Sequence, residues 1–481
     1  MITWGISANS HNAALAVFKD SNILFASDSE RFSKIKNDPN LHPELVSYAK
    51  RFGEPDLVCW YEKPWLKTLR QLCAGQGFNN NNIKSYLKKY NITAPIKTVY
   101  HHESHAAAGY YTSNFDDACV VVIDSIGEFE TITVWKGDNG KLTKLFSQSY
   151  PNSIGLWYSA MTQRCGLKPN EEEYILMGMA AYGDPKKLNL KISKDFVKDF
   201  EKFEFKQNLH RGCKDWAPEI DNVFDIAAGT QQVYEVLFDR VLNKARSLVT
   251  TPNLVLMGGC ALNCSANPIA YRYFERVWIM PAPGDNGSSI GSVLAHRKIA
   301  ANWTGPYLGY DMGYKSSNEE IVNYLVEHKL CGLARGRAEF GPRALGNRSL
   351  IADPRDPKIK DLVNDIKQRE KFRPFAPAIL EEYANDYFEM PTISTPYMQY
   401  TVKCRHPDQF PGIVHADGTS RVQTVNRYGN PEFRRLLEEW HKRTGCPMLL
   451  NTSLNIKGQP MVNDHADAKN WSQTYGLPVF N

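Results

Sequence analysis

The C-terminal third of the chain concentrates basic side chains in two short blocks, residues 340–349 and 367–377. Arginine forks donate two parallel hydrogen bonds and so match the oxygens of phosphate and carboxylate groups. Residues 449–455 add short polar side chains directly after an apolar segment. Together these blocks predict a pocket for a small, phosphate-rich substrate. Its basic side chains are Arg343, Arg348, Lys367, Arg369 and Arg373.

The N-terminal half carries a second set of residues that predicts a metal site. His101 and His105 are four positions apart, a spacing that places both imidazoles on one face of a helix. Asp124 ends an apolar segment and is expected in a Gly-containing loop over 124–128. Asp285 precedes a predicted helix over 288–297 and can act as a ligand, as the helix N-cap, or as both. Two imidazoles and two carboxylates suit iron, manganese or zinc.

Three weaker patterns add further candidates. Gly258 and Gly259 follow a predicted strand over 253–257 and favour close approach of the backbone to a phosphate or sugar, with a plain tight turn as the alternative. His11 lies in the first turn of a predicted β-meander and is a candidate base for an acceptor hydroxyl. Residues 30–36 form a charged turn that is either a solvated loop or a catalytic segment.

The elements that must position these residues follow from the apolar spacing. Strands are predicted over residues 2–6, 13–18, 23–27, 118–123 and 131–135, and a helix over 230–250. Two strand-loop-strand units, each followed by helices, predict an internally duplicated α/β architecture. Residues 79–82 predict a surface loop. Residues 302–317 are rich in turn residues and predict a boundary between domains at 1–305 and 316–481.

Composition limits the class of protein. The chain has 481 residues, too many for one core, and 42% of them are hydrophobic. The sequence has no bilayer-length apolar run, no signal-peptide pattern and no C-x-x-C pair among its ten cysteines. We therefore expect a cytoplasmic protein that does not engage a membrane and uses its cysteines mainly as small core residues.

The net charge of +5 is unevenly distributed. Residues 186–214 contain nine lysines and arginines against four acids, an excess equal to that of the whole chain, with four phenylalanines interleaved. One interpretation is a solvated helix with an aromatic face. The other is a basic surface that accepts a polyanion such as nucleic acid.

Taken in order, these blocks resemble the O-carbamoyltransferase family of nodulation proteins and antibiotic-tailoring enzymes. The similarity runs along nearly the whole chain. The matching motifs lie at residues 29–33, 101–105, 153–158, 177–183, 257–259, 283–285, 340–349, 367–377, 417–423 and 451–453, together with Asp124.

The resemblance implies an actin/Hsp70/sugar-kinase-like first domain over residues 1–305 and a YrdC-like second domain over 316–481. In that scheme the second domain joins ATP, accompanied by Mg²⁺, and carbamoyl phosphate into carbamoyl-adenylate. The first domain then transfers the carbamoyl group to an alcohol at its divalent metal site, and AMP leaves.

The resemblance also implies roles for individual residues. Phosphate groups would be neutralised by Arg343, Lys367, Arg373 and Arg421, with Arg348 and Arg369 extending the same site. Asn451 and Ser453 would bind the carbamoyl or phosphate group. The metal would be held by His101, His105, Asp124 and Asp285. Gly258, Gly259 and Asn263 would line the nucleotide, and His11 would be the base.

Three features depart from the family pattern. Ile175 stands where the family has lysine, the loop after Asp124 reads Ser-Ile-Gly instead of Gly-x-Gly, and the C-terminus is short. Any role of that lysine is therefore lost or moved, the altered loop is expected to reshape the acceptor side, and the last family strand is expected to be short or missing.

The acceptor is left open by the motifs. The basic segment favours the 5-hydroxymethyl group of modified cytosine in DNA or a nucleotide, and a sugar, aminoglycoside or other natural-product hydroxyl is the alternative. A tRNA threonylcarbamoyl-type enzyme, a hydrogenase-maturation-like carbamoyl carrier and a chaperone-like ATP-binding protein are the rival functions. A homodimer is the default expectation for its assembly.

Overall fold

The computed structural model describes residues 1–78 and 81–481, so two of the four asparagines in the predicted 79–82 loop lie outside the described residues. The chain divides into two compact units. The first contains Met1–Ser29 and Asn37–Trp303, and the second contains Glu30–Lys36 and Thr304–Asn481. The short helix α1 (Glu30–Ser33) therefore belongs with the second unit, an excursion that the sequence did not predict.

The first unit contains two five-stranded sheets with the same topology. In each sheet three consecutive antiparallel strands are followed, across the sheet, by two parallel ones, in the orders β3-β2-β1-β4-β5 and β8-β7-β6-β11-β12. The strands are β1 (Ile2–Ser7), β2 (Ala14–Lys19), β3 (Asn22–Asp28), β4 (Leu57–Trp60), β5 (Ile96–Thr98), β6 (Asp117–Gly127), β7 (Glu130–Asp138), β8 (Lys141–Ser149), β11 (Asn253–Met257) and β12 (Arg276–Trp278).

This repeated order confirms the predicted duplication and the actin/Hsp70/sugar-kinase type of fold. The central strands β1, β2 and β6 are buried on both faces, which explains their nearly continuous apolar sequences. The remaining strands of the unit, β9 (Val197–Asp199) and β10 (Glu204–Phe205), form a small hairpin.

Helices cover the sheets of the first unit. They are α2 (Pro43–Lys50), α3 (Pro64–Cys73), α4 (Ile83–Lys88), α5 (His101–Tyr110), α6 (Ile154–Arg164), α7 (Glu173–Met179), α8 (Asn189–Phe196), α9 (Val223–Leu248) and α10 (Ser288–Arg297).

The packing of α10 on α5 brings two chemically important segments together. Gly291 of α10 lies so close to α5 that a Cβ there would meet the Ser104 carbonyl oxygen at 1.9 Å. No side chain fits in that space, so glycine permits the close approach of the two helices. The N-terminal ends of both helices are thereby held in one region of the unit.

Two local predictions in this unit are wrong. Asp124 does not lie in a loop, because β6 continues to Gly127 through a register shift between Ile123 and Gly127. Asp285 is not an N-cap, because α10 begins after Gly287 and no side chain caps it. The predicted 230–250 helix begins earlier, at Val223, where the Asn222 side chain accepts two backbone N–H bonds.

The second unit is built around one mixed six-stranded sheet in the order β20-β17-β21-β16-β14-β22. Two further strand pairs, β13–β15 and β18–β19, lie outside it. The strands are β13 (Tyr307–Asp311), β14 (Leu330–Ala334), β15 (Arg337–Glu339), β16 (Arg348–Ala352), β17 (Ala376–Leu380), β18 (Thr401–Lys403), β19 (Thr419–Arg421), β20 (Gln423–Val425), β21 (Met448–Ser453) and β22 (Val479–Phe480).

Helices pack their apolar faces on this sheet to form the core of the second unit. Trp440 and Phe433 of the longest helix are fully buried there beside Leu333 and Leu449 of the sheet. The last strand, β22, has two residues and lies at the sheet edge, parallel to β14. The helices are α11 (Asn318–His328), α12 (Ile359–Ile366), α13 (Ala384–Tyr387), α14 (Pro431–Thr444) and α15 (His465–Tyr475).

Among the described residues, none of the helices combines the length and the apolar character that crossing a bilayer requires.

Candidate active site

The structure brings together all four residues that the sequence predicts as metal ligands. His101 and His105 lie one turn apart on α5, Asp124 lies in β6, and Asp285 lies in the loop before α10. One ligand atom from each residue lies within 4.8 Å of the other three. The two histidines are fully buried, and Asp124 is 7% exposed. Three separate segments of the first unit therefore supply one compact N₂O₂ donor set.

The separations between these ligand atoms match the edges of a metal coordination shell. Nε2 of His101 lies 3.0 Å from Nε2 of His105 and 3.3 Å from Oδ2 of Asp124. Oδ1 of Asp285 lies 3.4 Å from each histidine Nε2. Donors about 2.1 Å from a central ion are about 3.0 Å apart in an octahedron and about 3.4 Å apart in a tetrahedron. The four residues therefore fit a divalent transition metal.

Neighbouring groups fix the orientation of the ligands. The Gly259 N–H donates to Oδ1 of Asp124 at 3.0 Å, leaving Oδ2 to face the histidines. The Ser288 hydroxyl lies 3.4 Å from Nδ1 of His105. The His101 backbone N–H donates to both carboxylate oxygens of Glu128, which places a negative charge at the N-terminus of α5. Such outer contacts hold a ligand set in register for its metal.

The electrostatics of the cluster couple its acids to its imidazoles. Burial alone would lower the pKa of His101, but Asp285 and Asp124 raise it well above its usual value. Burial would raise the pKa of Asp124, but its hydrogen bond from His101 lowers it to about 2. Burial is likewise outweighed at Asp285, where His101 and His105 hold the pKa well below its usual value. Both carboxylates are therefore ionised at neutral pH, and a bound metal would displace the proton that they favour on His101.

Gly258 and Gly259 hold the carboxylate ligands rather than leaving amides free for a phosphate. Gly258 has a φ of +89°, and a Cβ there would meet the Ile123 carbonyl oxygen at 2.2 Å. Its N–H donates to the Pro283 carbonyl in the Asp285 loop, while the Gly259 N–H binds Asp124. Their N–H groups are therefore already used within the protein, and the prediction that Gly258 and Gly259 line a nucleotide would have to rest on close approach of the backbone rather than on these donors.

Asn263 is also engaged within the protein. Its side-chain amide exchanges two hydrogen bonds with Gln231, each of 3.1 Å, and its Oδ1 also accepts the Ala266 N–H. These bonds engage its side-chain oxygen and one of its two N–H donors, and its role in lining a nucleotide stays a prediction.

His11 is held in one tautomer. Its Nε2 lies 2.7 Å from the Asn170 carbonyl oxygen. A carbonyl can only accept, so Nε2 carries the proton and Nδ1 is the basic nitrogen. The ring is thus prepared to accept a proton at Nδ1.

In the second unit, Lys367 and Ser453 lie in contact. The Lys367 ammonium donates to the Ser453 carbonyl at 2.5 Å and to both the carbonyl and side-chain oxygens of Asn455 at 2.9 Å. Burial first, and then the charges of Arg369 and Arg373, lower the pKa of Lys367 well below its usual value. Arg369 and Arg373 are therefore close enough for their positive charges to disfavour the protonated form of Lys367.

Asn451 joins the segments that carry the other predicted binding residues. Its amide donates to the Ala344 carbonyl at 3.1 Å and to the Gln423 side chain at 2.7 Å. Gln423 in turn donates to the Leu345 carbonyl. Asn451 therefore binds protein groups with its nitrogen, and it positions the segments of Arg343, Arg421 and Ser453 beside one another.

Arg348 does not act as the anion-binding residue that the sequence predicts. The side chain is fully buried, and burial lowers its pKa to about 10. Its guanidinium donates only to backbone carbonyls, so binding a phosphate would break these bonds. Arg348 therefore supports the fold. The acceptors are the carbonyls of Tyr310, Arg335, Gly336, Asn347 and Asn463.

The remaining predicted cations differ in how fully they are satisfied. Arg369 donates to the Asn364 side chain and the Pro374 carbonyl and lies 4.4 Å from the Phe375 ring centroid. Nη1 of Arg373 lies 3.8 Å from Oε2 of Glu370. Nε of Arg421 is buried and finds no acceptor among the described residues, so it is a candidate donor to a ligand.

Several residues around these sites were not predicted from the sequence. Glu128, Gln231 and Asn455 act through hydrogen bonds to chain segments distant in sequence, so no local pattern marks them. The sequence predicts a charged turn at Arg31. In the structure this side chain is 1% exposed, and it donates to the Glu339 and Gly341 carbonyls. The apolar strand β3, which directly precedes this turn, is the sequence feature that could have indicated its burial.

The basic 186–214 segment is not the single helix of the first interpretation, and its buried aromatic rings narrow what the second can mean. It contains α8, the β9–β10 hairpin and a short 3₁₀ turn rather than one helix, and Phe196, Phe203 and Phe205 are core residues. Stacking on nucleic-acid bases requires exposed rings, so these three cannot supply it. Four of its lysines form ion pairs with acids: Lys187, Lys191, Lys198 and Lys202.

Comparison with known families accounts for both units. A model described as the carbamoyltransferase N-terminus matches residues 59–294, and one described as the carbamoyltransferase C-terminus matches residues 322–480. The chain belongs to the carbamoyltransferase family. This confirms the resemblance inferred from the motifs and makes the protein an enzyme of that class.

Two relatives span nearly the full length of this carbamoyltransferase. Protein sll1178 of Synechocystis is 33% identical over 96% of this chain and 93% of its own length. The 3'-hydroxymethylcephem-O-carbamoyltransferase of Amycolatopsis lactamdurans is 27% identical over 97% of this chain and 95% of its own. Among solved structures, a ROK family glucokinase from Streptomyces griseus aligns with 62% of this chain and all of its own, with 13% identity and a TM-score of 0.34.

Proposed function

We propose that the protein is an ATP-dependent O-carbamoyltransferase that works in two steps, one in each unit. The observation that carries the proposal is the match of the two carbamoyltransferase models to residues 59–294 and 322–480. The second unit forms carbamoyl-adenylate, and the first transfers the carbamoyl group to an acceptor hydroxyl.

In the proposed first step, carbamate is the intermediate between carbamoyl phosphate and carbamoyl-adenylate. Water releases phosphate from carbamoyl phosphate, a carbamate oxygen attacks the α-phosphorus of ATP, and pyrophosphate leaves. Every species in this step is anionic, so positioning and charge neutralisation are the main demands on the protein. Lys367, Arg343, Arg373 and Arg421 are the cations assigned to that work, with Arg369 beside Lys367. Ser453 offers its hydroxyl from the end of β21.

The second step requires the acceptor hydroxyl to lose a proton as its oxygen attacks the carbamoyl carbon and AMP leaves. His11 is assigned as the base, and its free Nδ1 receives the proton because Nε2 is committed to Asn170. A divalent ion held by His101, His105, Asp124 and Asp285 would supply Lewis-acid polarisation of substrate oxygens. Iron, manganese and zinc all suit this donor set.

We infer that the acceptor is a primary alcohol, and we take the 5-hydroxymethyl group of modified cytosine in DNA or a nucleotide as the first candidate. The name of the Amycolatopsis relative specifies a hydroxymethyl group on a heterocycle, which is the same local chemistry. A sugar or aminoglycoside hydroxyl is the alternative acceptor class.

The test supplies ATP, Mg²⁺, carbamoyl phosphate and a panel of acceptors, with mass spectrometry detecting the addition of one carbamoyl group. The panel contains hydroxymethylcytosine DNA, its nucleotide, simple sugars and an aminoglycoside. Product on the cytosine compounds supports the proposed acceptor, and product only on sugars or the aminoglycoside replaces it with the alternative. If no pyrophosphate is released from ATP and carbamoyl phosphate, the proposed reaction itself is wrong.

A threonine arm separates the tRNA threonylcarbamoyl-type activity. Carbamoyl phosphate-dependent pyrophosphate release without threonine supports the O-carbamoyltransferase proposal. Strict dependence of adenylate formation on threonine would contradict it.

A further inference from the structure

Two arginines of the first unit lie close to a tyrosine and a histidine, and none of the functions described above uses this group. We define the Arg70 cluster as Arg70, Tyr150, His210 and Arg211. Arg70 lies in the last turn of α3, Tyr150 follows β8, and the other two lie in the 3₁₀ turn Leu209–Arg211. All four belong to the first unit.

Direct contacts show that these three segments meet. Nη1 of Arg70 donates to the Gln76 side chain at 3.4 Å, and a Cβ on the adjacent Gly75 would lie 4.0 Å from Nη2 of Arg211. The rings of Tyr150 and His210 pack edge to face, with centroids 5.8 Å apart. Arg70 and Arg211 therefore approach each other from opposite sides of one small region.

The Arg70 cluster contains two arginines and no carboxylate. Within residues 1–78 and 81–481, neither Arg70 nor Arg211 forms an ion pair with a carboxylate, and Nε of Arg70 is buried without a hydrogen-bond partner. Burial and then the charges of Arg70 and Arg211 lower the pKa of His210. This contrasts with the paired lysines elsewhere in the 186–214 segment.

The acids that act on Arg70 from a distance are already engaged. Glu62 and Glu128 are the carboxylates whose charges favour protonated Arg70. Glu62 forms a buried ion pair of 2.7 Å with Lys67, and Glu128 accepts the backbone N–H groups of Lys63 and His101. The two arginines thus retain donors for an external oxyanion.

Helix α3, which carries Arg70 in its last turn, begins beside the metal ligands. Tyr61 packs on the His101 ring at 5.3 Å between centroids, and Glu128 accepts the backbone N–H groups of both His101 and Lys63, the residue that precedes α3. Lys67 and Arg70 are three residues apart on α3 and so face the same side. An acceptor whose hydroxyl lies at the metal centre can therefore extend an anionic group to this cluster.

We propose that the Arg70 cluster binds a phosphate group of the acceptor, so that the enzyme selects phosphorylated alcohols such as a nucleotide or polynucleotide over their unphosphorylated forms. The inference rests on the proposed carbamoyl transfer and identifies the acceptor class for that site. Two guanidinium groups suit the tetrahedral, multiply charged oxygens of a phosphate. Tyr150 and His210 supply ring edges beside that position.

The experiment compares acceptors that differ only in phosphate. 5-Hydroxymethyldeoxycytidine, its 5′-monophosphate and a short hydroxymethylcytosine oligonucleotide form one series, and glucose with glucose 6-phosphate forms another. For each member, kcat/KM of carbamoyl transfer and equilibrium binding are measured with the wild type, Arg70→Ala, Arg211→Ala and the double variant. Lys198→Ala, which removes an exposed, paired lysine from the same segment, is the matched control.

The wild type is expected to prefer the phosphorylated member, and each single arginine variant should reduce that preference by roughly 10–100-fold, the contribution of one charge-assisted contact. Arg70→Lys should restore part of it, and Lys198→Ala should leave the preference unchanged. A preference for the oligonucleotide over the monophosphate identifies a polymer acceptor, and the reverse identifies a free nucleotide.

Three results would overturn the inference without touching the proposed reaction. They are equal use of phosphorylated and unphosphorylated acceptors by the wild type, a preference that survives the double variant, and equal loss of transfer to both forms, which would assign the arginines to the adenylate. Should no acceptor react, the absence of Arg70-dependent binding of the monophosphate and oligonucleotide overturns it. Pyrophosphate release in the same samples reports separately on the proposed reaction.

Discussion

The metal centre of the first unit and the basic region of the second both gather charged side chains from several segments, but they satisfy those charges differently. At the metal centre, two carboxylates face two imidazoles, and every ligand atom is directed at the others. In the basic region, Arg348 donates its hydrogen bonds to backbone carbonyls, and Lys367 donates to Ser453 and Asn455. Nε of Arg421 has no acceptor among the described residues.

The difference teaches that a buried charge reveals its role through its partners rather than through its type. Ligands that converge on a point leave a place for an ion between them. A guanidinium whose donors are all taken by backbone carbonyls stabilises the chain, and one that keeps a buried donor unused beside other predicted binding residues is a candidate to bind a ligand. Substitutions in the two regions should therefore fail in different ways.

The largest effect is expected at the metal centre. His105→Ala removes one of four ligands, and we expect it to lower bound metal and to slow carbamoyl transfer by about 10³-fold or more, because Lewis-acid stabilisation is worth several kcal/mol. Elemental analysis and acceptor turnover measure the two effects. His296→Ala, on the exposed side of α10, is the control and should retain both. Full metal occupancy in His105→Ala would show that the cluster is not the metal site.

Within the basic region, Arg348 and Arg421 should separate stability from activity. Arg348→Met removes the hydrogen bonds that the guanidinium donates to five backbone carbonyls and should destabilise the second unit by roughly 3–5 kcal/mol. Arg421→Met should cost far less stability but reduce pyrophosphate release. Urea unfolding followed by tryptophan fluorescence, to which the buried Trp440 of the second unit contributes, compares the two variants. Equal destabilisation by both would contradict the distinct roles assigned to them.

The depressed pKa of Lys367 predicts a pH dependence of the first step. The ammonium form neutralises phosphate, and its loss as pH rises through the lowered pKa should reduce pyrophosphate release well before an ordinary lysine titrates. Lys367→Arg should lower the rate because the larger fork does not fit the same acceptors, but it should remove this alkaline decline. A pH profile of pyrophosphate release in both proteins measures it. An unchanged decline in the variant would assign the titration to another group.

The smallest effect is expected in the 186–214 segment. Lys191→Ala breaks an exposed pair with Asp195, and the free energy of unfolding should change by no more than about 0.5 kcal/mol. Its affinity for DNA should match that of the wild type, since the pair leaves little unbalanced charge. A large loss of DNA binding in this variant would restore the polyanion interpretation of the whole segment.

The sequence predicted the strands of the duplicated unit well, because their apolar runs have a length and spacing that few other elements share. It also brought His101, His105, Asp124 and Asp285 together as one set, since mixed imidazole and carboxylate ligands are uncommon in a core. Arginine is less informative, because its donors serve carbonyls and phosphates equally well. Only the structure shows that Arg348 belongs to the fold and that Gly258 and Gly259 hold the ligand loops.

The placement of residues 30–36 lay beyond sequence reasoning for a related reason. Their charges are typical of a solvated turn, yet Arg31 is buried against Glu339 and Gly341, more than three hundred positions along the chain. A contact of that range depends on tertiary packing, which local composition does not encode.

The division of labour between the two units is tested most directly by following pyrophosphate release and carbamoyl transfer in parallel, in wild type, Ser453→Ala and His105→Ala. The account predicts that Ser453→Ala loses both signals, whereas His105→Ala still releases pyrophosphate in the presence of carbamoyl phosphate but transfers almost no carbamoyl group to the acceptor. Loss of pyrophosphate release in His105→Ala, or normal transfer by it, would contradict the assignment of adenylate formation to the second unit and transfer to the first.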